Sequence, residues 1–482
     1  MRPQCIRRIL LAVVVTLLPG CAHYLVNRRS TTVTSANAYT FDALADSGNG
    51  DGLFVCLTFS GGGTRAAALA YGVLEELRRG DVGGGRSLLD EVDCISSVSG
   101  GSFTAAYYGL FRARLFQDFR SRFLDRNVQG ALLQQVLLPW NWFRLASPYY
   151  GRIDLASELY EDEIFEGKTF ADLKAQGRPF VILNATNLEA GSRFDFTTFH
   201  FAAIGSDIAD YPIGRAVAAS SAFPFLLSPI SVVNYPIAAD YKPPGWYAGG
   251  LEAYDADRRR FQAAQELSYY LDKRHEYVHL MDGGLADNIG ARAVLDAYSR
   301  GFIRQRITDN QIDKLVVIIV NARTEPQEQL SRDEQPPSLP EVAYKTATIS
   351  MDNYSFDTVA VMIESLRQRL QAQQDVAGCQ QKLKESCPKA PAIITFGRVI
   401  DPYVIEINFD GAARIGEDPQ YYLNLPTSFS LKPDQVERLV QIGPKLLRAS
   451  PQYRCLLAVL QAEANGQPRP DECPIGAGLT GL

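Results

Sequence analysis

Twice within its first hundred residues the chain passes from an apolar run through a cluster of small residues into a helical pattern. That alternation restricts the fold more than any other feature. Leu53-Phe54-Val55-Cys56-Leu57-Thr58-Phe59 suits a strand buried on both faces. Ser60-Gly61-Gly62-Gly63-Thr64-Arg65 follows it, and Ala66 to Arg79 has helical spacing. Cys94-Ile95-Ser96-Ser97-Val98 is the next strand, Ser99-Gly100-Gly101 its turn, and a helix is expected from Phe103. Strand, turn and helix in repetition predict an α/β domain with a central, mostly parallel sheet flanked by helices.

Further strands are expected at Phe180–Asn184, Phe194–Phe199, Tyr277–Met281 and Lys314–Asn321. A helix around Glu341–Gln374, a β-hairpin at Ala392–Asn408 and a helix near Pro433–Arg448 would decorate the sheet. With 46% hydrophobic residues in a chain of 482, there is apolar mass for one large core. There is no internal repeat, and no series of apolar runs of about 20 residues such as a polytopic membrane protein requires. Lys plus Arg number 48 against 54 Asp plus Glu, without a long basic run, so nucleic acid is not an expected partner.

The N-terminus reads as an address. Arg2, Arg7 and Arg8 precede an apolar stretch from Ile9 to Leu18. Ten helical residues rise about 15 Å, half of a bilayer core, so this is a secretory signal and not a spanning helix. It ends in Leu18-Pro19-Gly20-Cys21, which resembles the lipobox of bacterial lipoproteins. The resemblance implies removal of residues 1–20, acylation of Cys21, and, with Ala22 following, an outer-membrane lipoprotein facing the periplasm. Removal takes three Arg and no acid, leaving 45 basic against 54 acidic residues and a charge of −9. Acyl chains, not charge, would then hold the body at the membrane. Residues 21–52, rich in Ser, Thr, Asn and Gly, are expected to form a flexible tether.

In an oxidising compartment, Cys379 with Cys387 and Cys455 with Cys473 would each close a local disulfide. Cys56 and Cys94, inside apolar runs, read as small buried hydrophobes.

Three turns carry the chemistry. The triple-glycine loop can aim amide N–H groups, reinforced by the start of the following helix, at a phosphate or at the oxyanion of acyl transfer. Gly61-x-Gly63-x-x-Ala66 also satisfies the dinucleotide fingerprint, but that reading needs an acid ending the second strand, and a serine turn stands there instead. Ser97-Val98-Ser99-Gly100-Gly101 matches the nucleophile elbow G-x-S-x-G with Ser97 for its first glycine. Alone, Ser99 could equally be a helix cap. His279-Leu280-Met281-Asp282-Gly283-Gly284 places an acid at a strand end before two glycines.

Together with Ala219-Ser220-Ser221-Ala222-Phe223-Pro224 and Asp287-Asn288, these ordered blocks resemble the patatin-like phospholipases over about Leu53 to Arg300. The resemblance implies the patatin-like sandwich over 53–300, with 301–482 continuing the α/β domain. It implies a Ser99–Asp282 dyad, an oxyanion hole in the Gly61-Gly62-Gly63 loop with Arg65 supporting the loop or the substrate's polar end, and an elbow made by Gly100 and Gly101. It implies a metal-free and cofactor-free acyl hydrolase acting on membrane lipid or another acyl ester. A non-catalytic envelope lipoprotein using the fold as a binding scaffold is the alternative. Head group, acyl length and oligomeric state are not legible.

His275-Glu276-Tyr277-Val278-His279 spells H-E-x-x-H, yet zinc needs both histidines on one helical face, and this stretch reads as the strand delivering Asp282. His279 keeps a Ser–Asp–His arrangement open as a minority reading, whereas His200 suits a structural role. Val136-Leu137-Leu138-Pro139-Trp140-Asn141-Trp142-Phe143 is read as a buried cap helix and its turn, with a lipid-dipping lid or acyl-pocket wall as the other possibility. Asp240–Arg274 is expected to be an insertion near the active-site mouth.

Overall fold

A computed structural model describes residues 22–32, 38–44, 52–224, 226–325, 334–389 and 399–479. The signal segment 1–20 and Cys21 lie outside the described residues.

The strands are β1 (Gly52–Phe59), β2 (Val92–Val98), β3 (Phe180–Asn187), β4 (Arg193–Asp195), β5 (Ile230–Val233), β6 (Tyr277–Asp282), β7 (Ile312–Asn321) and β8 (Asp401–Asn408). They form one sheet in the order β8-β7-β1-β2-β3-β6-β5, with β4 pairing β3. The five strands from β8 to β3 run parallel, whereas β6 is antiparallel to both β3 and β5. The central strands are buried throughout, as their apolar runs require. This is the α/β architecture that the alternation of elements predicts.

The helices that matter for the site are α1 (Gly63–Arg79), α2 (Gly100–Phe111), α3 (Val128–Leu137), α4 (Pro139–Leu145), α5 (Ile213–Ser220), α6 (Leu339–Ser386) and α7 (Pro433–Ala449). Four alanines favour α1, while Arg78 and Arg79 in its last turn complement the helix dipole. It packs along α7, so the C-terminal part is built onto the same core.

Several expectations change. Part of the tether belongs to the body: Tyr39 and Phe41 are buried, Phe41 stacking on Phe302, because aromatic side chains here find apolar partners. The strand expected at Phe194–Phe199 stops at Asp195, and Thr198–Ala203 is helical. The second arm of the expected hairpin is β8, whose described partner is β7 in parallel register. The first arm lies outside the described residues.

Cys56 and Cys94 stand opposite each other on β1 and β2, Cα atoms 4.6 Å apart, and are joined as a disulfide instead of being separate buried thiols. Cys455 and Cys473 are joined as expected from their spacing. Cys379 and Cys387 are free and exposed. Cys379 lies within α6 and Cys387 caps it. Eight residues of helix separate them by about 12 Å, beyond disulfide reach.

The segment read as a buried cap helix is instead exposed at Leu137, Trp140, Trp142 and Phe143. Within Asp240–Arg274, Trp246, Ala263 and Leu267 line a separate cavity with Phe199 and Arg193, away from the site described next.

Candidate active site

The register of β3 explains how distant residues meet. Val98, last in β2, is level with Asn184 of β3, and Asp282, last in β6, is level with Ala185 of the same strand. Antiparallel β6 therefore delivers Asp282 to the height at which β2 turns into α2. Ser99 occupies that turn.

Ser99 has φ 50° and ψ −120°, a backbone conformation that L-residues rarely adopt. The surrounding hydrogen bonds hold it. Its N–H donates to Ser220 Oγ at 2.9 Å, its carbonyl accepts from Ser102 N at 3.0 Å, and Gly101 N donates to the carbonyl of Ser60 at 3.2 Å. A side chain at Gly100 would place Cβ 2.0 Å from the carbonyl oxygen of Gly63, so the elbow and the glycine loop touch through bare backbone. Ser97, the departure from the elbow pattern, is absorbed locally. Its hydroxyl accepts from Ser102 Oγ at 3.1 Å, and Ser102 in turn meets Ser220 Oγ at 2.9 Å.

Asp282 is buried, with 4% of its surface exposed. Burial pushes its carboxyl up to about 6, while donation from Gly284 N and the Ser99 hydroxyl favours the charged form. Gly284 N reaches Oδ1 at 2.8 Å. Its main chain is tied to Ala222 through N and to Thr186 Oγ1 through O. The structure thus brings Ser99 and Asp282 into the lining of one cleft of about 110 Å³.

The glycine loop forms the cleft's opposite wall. Gly61 N donates to Asn288 O at 2.8 Å and Thr64 N to Ser428 O at 2.9 Å. Gly62 and Gly63, between these two tied residues, also line the cleft. Gly63, at φ 60°, could not carry a side chain, since its Cβ would lie 2.3 Å from Ser428 O. Arg65 is buried and donates to Ala322 O, Leu425 O and Thr427 Oγ1 at 3.0, 2.6 and 3.0 Å. These bonds bind the loop to the C-terminal part.

The histidines stand apart. His279 lies on β6 with Nδ1 2.8 Å from Ser231 Oγ, and His275 stacks on Tyr269. The two do not share a helical face. His279, three residues before Asp282 on a strand, projects to the other side of the sheet. His200 is buried beside Phe194 and Tyr270, and burial pushes it down to about 4.

Ser428, Phe429 and Met351 also line the cleft, although nothing in their sequence neighbourhoods marks them. Asn288 is next to the glycine loop and Ser220 beneath the elbow. Both belong to sequence blocks that pointed at the site without assigning their contacts.

A family model described as "Patatin-like phospholipase" matches residues 57–295. No curated protein matches the chain. Among solved structures, "Human GIVD cytosolic phospholipase A2" is similar at 12% identity and TM-score 0.38. The same human enzyme "in complex with Methyl gamma-Linolenyl Fluorophosphonate" is similar at 11% identity and TM-score 0.36. Each match covers 86% of this chain and 60% of the other, so this chain spans about 60% of those structures' length.

Proposed function

Because residues 57–295 place the chain in the patatin-like phospholipase family, we propose that it is a lipid acyl hydrolase working through Ser99 and Asp282. The observation that carries the proposal is that Ser99, Asp282 and the Gly61-Gly62-Gly63 loop line the same cleft.

Ser99 Oγ attacks the carbonyl carbon of a carboxylic ester while the Asp282 carboxylate accepts its proton. The tetrahedral oxyanion is held by the N–H groups of Gly62 and Gly63. Such donors are worth roughly 2.7–4 kcal/mol each in related acyl-transfer sites. Collapse breaks the bond to the alcohol oxygen, which takes the proton back from Asp282, and leaves an acyl-serine. Water, deprotonated by Asp282, then attacks the acyl-serine; the bond to Ser99 Oγ breaks, Oγ takes the proton back from Asp282, and the carboxylic acid is released. An aspartate is a weak base in water, and burial is what raises its affinity for the proton. Phe223, Leu226, Met351 and Phe429 in the cleft support an acyl chain as the group bound there.

The site of action in this proposal is the periplasmic face of the outer membrane, with acylated Cys21 as anchor. Fatty-acid release from dispersed phospholipid tests the activity. Wild type should release it and Ser99→Ala should not. Equal release by both, or none by either, contradicts the proposal, and none by either favours a non-catalytic scaffold.

A further inference from the structure

An uncharged, apolar surface stands next to the place where the N-terminal segment joins the body. From Asn127 to Phe143 the sequence has no charged residue. Two short helices form there, α3 and α4, separated at Leu138–Pro139. Leu133 and Leu137, one turn apart on α3, are each 60% exposed, and Trp140, Trp142 and Phe143 on α4 are 61%, 58% and 45% exposed. Burying Asn141 turns these side chains outward: its amide is satisfied by Gln135 O at 2.7 Å, and its surface is 1% exposed. So many large apolar groups in water on adjacent turns mark a surface that is covered in use.

The neighbouring chain indicates what covers it. Ala22 is bound to the end of this segment: its carbonyl accepts from Ser147 Oγ at 2.6 Å, Tyr24 N donates to Tyr149 O at 2.8 Å, and His23 stacks on Tyr149. Cys21, the residue proposed to carry acyl chains, directly precedes Ala22 in sequence, and Ala22 is held by Ser147, shortly after α4. An anchor there brings α3 and α4 to the lipid. The other end of α3 reaches the cleft, where Gln129 N donates to the carbonyl of Phe429. Tryptophans, with an apolar ring and a polar N–H, favour the boundary between head groups and acyl chains.

We propose that Leu133, Leu137, Trp140, Trp142 and Phe143 form a membrane-docking surface that enters the interfacial layer of a bilayer. It seats the body beside its anchor with the cleft close to the lipid. The orientation rests on the proposed acylation of Cys21. The docking is apolar, because the segment carries no charge and the processed chain is net negative. It therefore requires no anionic lipid and withstands salt.

The test uses the full processed chain in vesicles of phosphatidylcholine, plain or brominated at carbons 6 and 7 of the acyl chain. Three tryptophans report, Trp140, Trp142 and Trp246. Brominated lipid should quench up to about two thirds of the emission, the share of the two interfacial rings. Trp140→Phe with Trp142→Phe should remove that quenching, and Leu137→Ser with Trp140→Ser should cut vesicle hydrolysis about fivefold while turnover of a soluble short-chain ester stays unchanged. Equal emission in plain and brominated vesicles overturns the proposal. So does quenching that survives the Phe variants, or a dimer in solution that Leu137→Ser dissolves. An N-terminal peptide mass without acyl groups removes the anchor reading, and absent soluble-ester turnover in wild type removes the hydrolase reading. Neither result alters what the quenching decides.

Discussion

Ser220 Oγ accepts the main-chain N–H of Ser99, 121 positions away in sequence, at 2.9 Å and donates its own proton to Asn184 O at 2.6 Å, joining the elbow to β3. This hydroxyl holds the one non-glycine residue of the cleft whose backbone is in a strained region. Ser220→Ala leaves a buried N–H and a buried carbonyl without their partner. The cost is on the order of 1–3 kcal/mol. We expect kcat/KM to fall by roughly tenfold with the pH profile unchanged, measured on a soluble ester. An unaltered rate would mean that the elbow keeps its shape without Ser220.

Asp282 must be ionised to accept the Ser99 proton, and burial raises its carboxyl to about 6. Activity is therefore present above that value and lost as the pH falls through it. A profile of kcat/KM between pH 4 and 8 should show a single acidic limb centred near 6. A limb near 4, the ordinary carboxylate range, would show that the base is a solvated group elsewhere.

The same shift opposes stability at neutral pH. A carboxyl whose folded pKa lies above its ordinary value of 3.8 favours folding below that value, and the contribution is lost as the pH rises through about 6. Asp282→Asn removes the buried charge. Its thermal midpoint at pH 8 should exceed that of wild type, by a free energy on the order of 1–3 kcal/mol, while activity disappears. At pH 4 the two proteins should melt close together.

Gly63→Ala tests the loop. The added Cβ would strike Ser428 O, so the loop must move away from the C-terminal segment that Arg65 ties to it. Loss of one oxyanion donor lowers kcat by about 10²–10³. Labelling by a fluorophosphonate should slow in parallel with turnover, and unchanged kcat would dissociate this loop from the chemistry.

Cysteine mapping separates the pairs. Without reductant, alkylation should mark Cys379 and Cys387 and spare Cys56, Cys94, Cys455 and Cys473. Closing the loop between Cys455 and Cys473 is worth about 3 kcal/mol in the chain-entropy description, so Cys455→Ser with Cys473→Ser should lower the thermal midpoint. A peptide linking Cys379 to Cys387 would show that α6 ends earlier.

What could be read in the sequence was local. The runs from Leu53 and Cys94, with their glycine turns, specify strand, turn and helix over a few residues, and Ser99 and Asp282 sit where those patterns place them. The contacts that complete the cleft are long-range. Ser428 against Gly63, or Arg65 against Leu425, depends on how α7 and the chain before it fold back on α1, and no periodicity encodes that. Cys56 and Cys94 look like core residues because they are. Their bond follows from strand register, which is set by the whole sheet. The exposed rings of α4 show the limit of reading apolar bulk as burial, since Trp140 and Trp142 face outward around a buried asparagine.

The most direct test of the Ser99–Asp282 dyad is peptide mapping of the intact protein after reaction with an alkyl fluorophosphonate. One adduct on the peptide containing Ser99, formed in wild type and much more slowly in Asp282→Asn, is the predicted result. An adduct on another serine, or a Ser99 adduct that forms equally fast without the Asp282 carboxylate, would contradict it.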